Sequence, residues 1–100
     1  MYKIEVLSEA KQDLKNIYFY IKNTLKNKKA AEDLNANFRK AFKTTCSFPL
    51  RGSIFKENKK YRKLFVGNYV IFYKAIVESE TIKIYRILYA PSDIDNKELE

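Results

Sequence analysis

The stretch "YRKLFVGNYVIFYKAIV", Tyr61 to Val77, decides how this chain is read. Two runs rich in β-branched and aromatic residues, Tyr61–Val66 and Tyr69–Val77, are separated by Gly67-Asn68 alone. A two-residue glycine turn between such runs predicts an antiparallel β-hairpin. A third run, "TIKIYRILY" (Thr81–Tyr89), follows the polar bend "ESE" and gives way at Pro91, which has no N–H to donate. Within "YVIFYKAIV" both faces are apolar: Tyr69, Ile71, Tyr73 and Ala75 alternate with Val70, Phe72 and Ile76. An antiparallel sheet covered by helices on one side should be polar on the other. The second apolar face therefore implies a cover, either the chain's own tail or a partner laid in a groove.

Upstream of the hairpin the period changes. Lys3–Leu7 ("KIEVL") alternates in period two and predicts a short strand that joins the sheet beside one of the later ones. Ser8 is a suitable N-cap, with Glu9 in the first turn where the helix dipole favours an anion. Ala10, Leu14, Ile17, Tyr18, Ile21 and Leu25 then recur at helical spacing. "KNKK" is a turn, and a second stripe runs through Ala31, Leu34, Phe38, Ala41, Phe42 and Thr45 until Pro49. Two helices joined so closely form an antiparallel hairpin. "PLRGSIFKENKK" reads as a polar loop. The predicted fold is α+β in two layers: a single domain over residues 1–100, in the order β-α-α-β-β-β, with a helical hairpin on an antiparallel sheet.

Composition narrows the chemistry. With 46% hydrophobic and 15% aromatic residues, a chain of 100 residues builds a real core. No apolar run approaches the ~20 residues that span a bilayer, and "MYKIEVLSEAK" lacks the form of a signal peptide. The lone Cys46 has no intramolecular partner and suits a reducing cytoplasm as a small buried thiol. The chain contains no histidine, which sets aside His-based hydrolysis and zinc sites; no metal or cofactor is expected. The net charge is +8, unevenly spread: Lys56, Lys59, Lys60, Arg62, Lys63 and Lys74 fall in one stretch with the single acid Glu57. Such a stretch, interleaved with aromatics, suits a polyanion or an acidic protein; a solvated lysine-rich surface is the alternative.

Taken together, "AKQDLKNIYFYI", "AAEDLNANFRKAF", "FPLRG", "YRKLFVGNYVIFY" and "IYRILYAPSD" resemble the RelE/ParE superfamily of bacterial type II toxins over nearly the whole chain. The resemblance implies the two-layer fold above. It also implies a cognate antitoxin, usually an acidic chain with an amphipathic helix, whose groove here would include Val70, Phe72, Tyr73 and Leu88. Two activities occur in the superfamily: ParE-like members poison DNA gyrase, and RelE-like members cut messenger RNA on the ribosome without a metal. The cutting branch resembles a "GYRLVY" pattern at the middle strand and carries His, Arg or Tyr after the last strand. Here Val70, Ala90, Pro91 and Ser92 occupy those places, and the frequent "RRD" is "PSD". The chain therefore leans toward the gyrase-poisoning branch.

If it cut RNA, the resemblance would leave Arg62 and Lys63 to hold phosphate, Arg86 to stabilise the transition state and Tyr89 to exchange a proton. Target contact of either kind would use Lys59, Lys60, Arg62 and Lys63. Each residue has a plainer reading. Arg86 shares strand parity with Ile82, Ile84 and Leu88 and could pair with Asp93 or Asp95. Tyr89 could be an ordinary rim aromatic, and Arg62 and Lys63 a solvated edge. A module that binds nucleic acid or protein without toxicity is a further alternative. "PSDIDNKELE" could begin a final helix capped by Ser92, and this acidic tail could screen the basic strand edge.

Overall fold

The Gly67-Asn68 turn forms as its sequence requires. In the computed structural model, which describes residues 1–90, Gly67 has φ of +59° at the first loop position, and Val66 pairs with Tyr69 across it. The strands so joined are β3 (Arg62–Val66) and β4 (Tyr69–Ile76), and β4 pairs antiparallel with β5 (Thr81–Tyr89). β1 (Lys3–Val6) lies along the far side of β5, and β2 (Ser53–Ile54) along the far side of β3, giving the order β1-β5-β4-β3-β2. β1 runs parallel to β5, so the sheet is mixed rather than wholly antiparallel. A parallel pair needs a long crossover, and the helical hairpin between β1 and the rest of the sheet supplies it. The predicted polar loop also contributes a short strand, β2.

Helix α1 (Ser8–Phe19) starts directly from β1, with Leu7 rather than Ser8 in the cap position and no side-chain cap. The Leu7 N–H is still engaged with the Ile84 carbonyl, while the Leu7 carbonyl already accepts from Lys11 N–H. The chain thus passes from strand to helix in one residue, and Ser8 falls inside the first turn. α1 continues into one π-helical turn, Tyr20–Thr24, which extends the predicted stripe to Leu25. Lys26 takes a left-handed φ of 55°, and Asn27 caps α2 (Lys28–Ser47) by accepting from the Ala30 N–H at 3.0 Å. Asn27 is a preferred cap residue inside "KNKK".

The core lies between the helices and one face of the sheet: Ala10 and Phe38 meet Ile71, Tyr73, Ile82, Ile84 and Ile87. Cys46 belongs to it and is 6% exposed. Burial raises the thiol pKa, so the neutral form is favoured. A raised pKa of this kind contributes stability below the unfolded-state value, and that contribution is lost as pH rises through the folded value. Cys46 should therefore resist iodoacetamide at neutral pH in the folded protein and react readily in denaturant, as followed by mass spectrometry.

Tyr73 is fully buried in this helix-facing core, which removes it from the groove expected on the open face. Its hydroxyl donates to the Pro49 carbonyl at 3.0 Å and accepts from the Gly52 N–H at 2.9 Å. Arg62, directly opposite Tyr73, donates to the Gly52 carbonyl at 2.7 Å and the Leu50 carbonyl at 3.4 Å. These contacts pin the "FPLRG" loop to the sheet. A Cβ on Gly52 would lie 2.8 Å from the Tyr73 ring and hydroxyl and 2.9 Å from the Lys63 carbonyl. Gly52→Ala should cost about 1–3 kcal/mol through this overpacking, and Tyr73→Phe a similar amount through the stranded Gly52 N–H. Urea unfolding of each variant measures the loss.

Candidate functional site

The candidate site lies on the sheet face away from the helices. Cross-strand neighbours share a face, so three rows are laid across it. Phe65, Val70 and Leu88 form one row, Lys63, Phe72 and Arg86 the next, and Tyr61 and Lys74 lie beyond. Phe55, just past β2, folds over this face and packs with Phe72 and Leu88 against Val70; the Phe55 and Phe72 rings meet edge to face, 5.1 Å between centroids. Val70 is thereby fully buried. The cover expected from the tail or a partner is supplied in part by the chain's own loop. Of the four expected groove residues, Val70 and Tyr73 offer no surface, whereas Phe72 and Leu88 line an open cleft of about 400 Å³.

A bulge shapes this cleft. Phe72 pairs with Arg86 but Tyr73 pairs with Ile84, so Tyr85 is an extra residue in β5. The strict alternation that grouped Arg86 with Ile82 and Ile84 fails here, because a bulge shifts parity by one. Ile82, Ile84 and Ile87 enter the core, while Tyr85 and Arg86 both line the cleft. Tyr85 meets Tyr61 edge to face at 5.1 Å. The Lys74 ammonium lies 4.6 Å from the Tyr61 ring centroid and 5.0 Å from that of Tyr85, within cation–π range.

Arg86 is held by Asp13 of α1. Its Nε and one terminal nitrogen donate to the two carboxylate oxygens at 2.8 and 3.1 Å, a forked, charge-assisted pair. Asp13 Oδ2 also accepts from the Ile87 backbone N–H at 2.9 Å. The Asp13 side chain is 12% exposed and that of Arg86 43%. The hydrogen bond that Arg86 donates to Asp13 raises the Arg86 pKa, so the guanidinium remains charged. Asp93 and Asp95, the partners expected for Arg86, lie outside the described residues, as do Pro91, Ser92 and the proposed tail helix.

The expected catalytic set does not converge. Lys63 and Arg86 flank Phe72 on the open face. Arg62 is on the helix-facing side, engaged with loop carbonyls. Tyr89 lies opposite Tyr69, with ring centroids 5.5 Å apart, and lines a separate cavity of about 730 Å³ with Ile17, Tyr20 and Leu25. Burial raises the Tyr69 pKa, which keeps its hydroxyl neutral. Lys59 and Lys60 are exposed in the turn before β3, and Asn58 accepts from the Lys60 N–H at 3.2 Å. Among the described residues no cluster of acids and Cys could hold a metal.

The family model described as "ParE toxin of type II toxin-antitoxin system, parDE" matches residues 4–93. The chain belongs to this ParE toxin family. Solved structures of similar fold include the chromosomal ParDE toxin–antitoxin system of P. aeruginosa, with TM-score 0.75 and 18% identity over 90% of this chain and 97% of the other. The RelBE2 toxin–antitoxin complex of Mycobacterium tuberculosis gives TM-score 0.66 and 20% identity over 88% and 96%. The isolated E. coli RelE toxin gives 0.58 and 15% over 90% and 85%. No curated protein sequence gives a significant match. The type II toxin assignment, leaning to ParE, thus agrees with the sequence reading, and this toxin's fold is that of both branches.

Asp13, Phe55, Tyr61 and Tyr85 were not among the expected site residues, and Lys74 was expected only as part of the basic stretch. Asp13 stood within the quoted "AKQDL", but sequence spacing cannot pair it with a residue 73 positions away. Removing Asp13 strands the Ile87 N–H, whereas removing Arg86 leaves Asp13 with that donor and nearby water. Asp13→Ala should therefore cost about 2 kcal/mol in urea unfolding, and Arg86→Ala under about 1 kcal/mol because Arg86 is well exposed.

Proposed function

We propose that this toxin inhibits growth by binding and poisoning DNA gyrase, and that a cognate acidic antitoxin neutralises it by covering the open face of the sheet. The observation that carries the target reading is the dispersal of the expected cutting residues. General-acid–base cleavage of RNA needs a proton-transfer group and cations around one phosphate. Arg62 is instead committed to the "FPLRG" loop, and Tyr89 meets Tyr69 edge to face on the opposite side of the sheet from Arg86. Poisoning a protein–DNA machine demands surface complementarity and no such convergence.

The antitoxin reading is supported by the likeness to structures described as toxin–antitoxin complexes. It is also supported by the half-exposed Phe72 and Leu88 set among Lys63, Lys74 and Arg86 on a chain of net charge +8. An amphipathic acidic helix matches that mixture of apolar and cationic surface. Binding to either partner takes place in the cytoplasm, and no described helix is long and apolar enough to cross a membrane.

Induced expression should arrest growth, generate cleaved DNA linked to protein and trigger an SOS response while messenger RNA stays intact. Co-expression of the small acidic protein encoded beside the toxin should restore growth. Codon-positioned cuts in messenger RNA, abolished by Arg86→Ala, would instead establish the RelE-like activity. Normal growth on expression of the folded protein would reject both toxic mechanisms.

A further inference from the structure

The open-face cleft combines features that separately have weak meaning and together describe one ligand. Its walls carry two edge-to-face aromatic pairs, Phe55–Phe72 and Tyr61–Tyr85. Its volume of about 400 Å³ falls in the range of small-ligand sites, roughly 300–1,000 Å³. The rim is cationic. Arg86 lines the cleft, Lys63 stands two strands away across Phe72, and Lys74 lies over both tyrosine rings. Glu9 is the acid among the lining residues, and Asn58 adds an amide.

We propose that this cleft receives an unstacked nucleobase of single-stranded DNA, with the flanking phosphates drawn to Lys63, Lys74 and Arg86. Aromatic side chains bind bases of any identity through the π-face, and a cationic rim tracks the backbone. Bases within a duplex are already stacked on each other, so the aromatic walls select an open strand, whereas the cations alone would accept either form. The Asp13 clamp holds Arg86 at the wall, and the Tyr85 bulge places an aromatic ring beside it; both are in place before a ligand arrives. The inference rests on the gyrase reading only for the source of the open strand.

The test uses the full chain and fluorescein-labelled ten-nucleotide strands in fluorescence anisotropy at fixed salt. Oligo-dT should bind at least roughly tenfold more tightly than an abasic strand carrying the same phosphates. Tyr85→Leu, which keeps much of the bulk, should remove most of that difference with an unchanged far-UV spectrum. Should Tyr85→Leu fail to fold, Tyr61→Leu provides the same comparison from the other ring. Lys74→Met should reduce the slope of log affinity against log salt by about one. Equal binding of abasic and base-bearing strands, duplex binding as tight as single-strand binding, or a polyglutamate peptide of equal charge binding as tightly would each overturn the proposal. Gyrase poisoning without base-dependent binding would defeat the cleft and leave the target reading standing. Base-dependent binding without gyrase poisoning would do the reverse.

Discussion

The Asp13 carboxylate takes the place of a missing strand partner, and the open face of the sheet is arranged around that substitution. β1 pairs with β5 only as far as Ile84, where the chain turns into α1. β5 runs on for five more residues with one side unpaired by β1. A backbone N–H left there without a partner would cost about 1–3 kcal/mol if buried. One helical turn into α1, Asp13 accepts from Ile87 N–H and grips Arg86 with both oxygens. The contact joins the first helix to β5, the last strand among the described residues, and it sets the position of a cation beside the cleft.

A second set of contacts does the same for the opposite edge. The Tyr73 hydroxyl and the Arg62 guanidinium satisfy backbone groups of Pro49, Leu50 and Gly52. The loop that follows carries Phe55 back across the sheet, where it closes over Val70. The "FPLRG" pattern and Arg62 are therefore part of how the fold is held. Arg62 acts indirectly, through the loop it anchors, while its strand neighbour Lys63 shares the open face with Phe72. Adjacent residues of one strand have opposite duties because the side-chain period is two.

These contacts also bear on how one fold serves two kinds of toxin. The ParE family model spans most of the chain, while the similar solved structures include both ParDE and RelE proteins. The shared scaffold of helical hairpin and twisted sheet does not select a chemistry. On the proposed reading, selection rests with the side chains that stand on the open face. Here Phe72, Tyr85, Lys74 and Arg86 are brought there, and Tyr89 is directed to the cavity beside Tyr20 and Tyr69.

Element type and order, the two-residue β2 apart, were legible locally. Gly67-Asn68 between apolar runs, two helical stripes around "KNKK" and the alternating "KIEVL" carry their own geometry, because turns and amphipathic periods depend on neighbours a few residues apart. The apolar second face of β4 was legible too, and so was its need for a cover. The parallel docking of β1, the Phe55 cover, the bulge at Tyr85 and the pairing of Asp13 with Arg86 were not. A bulge changes the facing of every later residue in its strand without an obvious mark in composition. Long-range ion pairs depend on where helix and strand ends meet in space. Those tertiary choices decided which of Arg62, Arg86, Val70, Tyr73 and Tyr89 stand on the open face and which on the helix-facing side, and the one-dimensional pattern could propose these residues but not sort them.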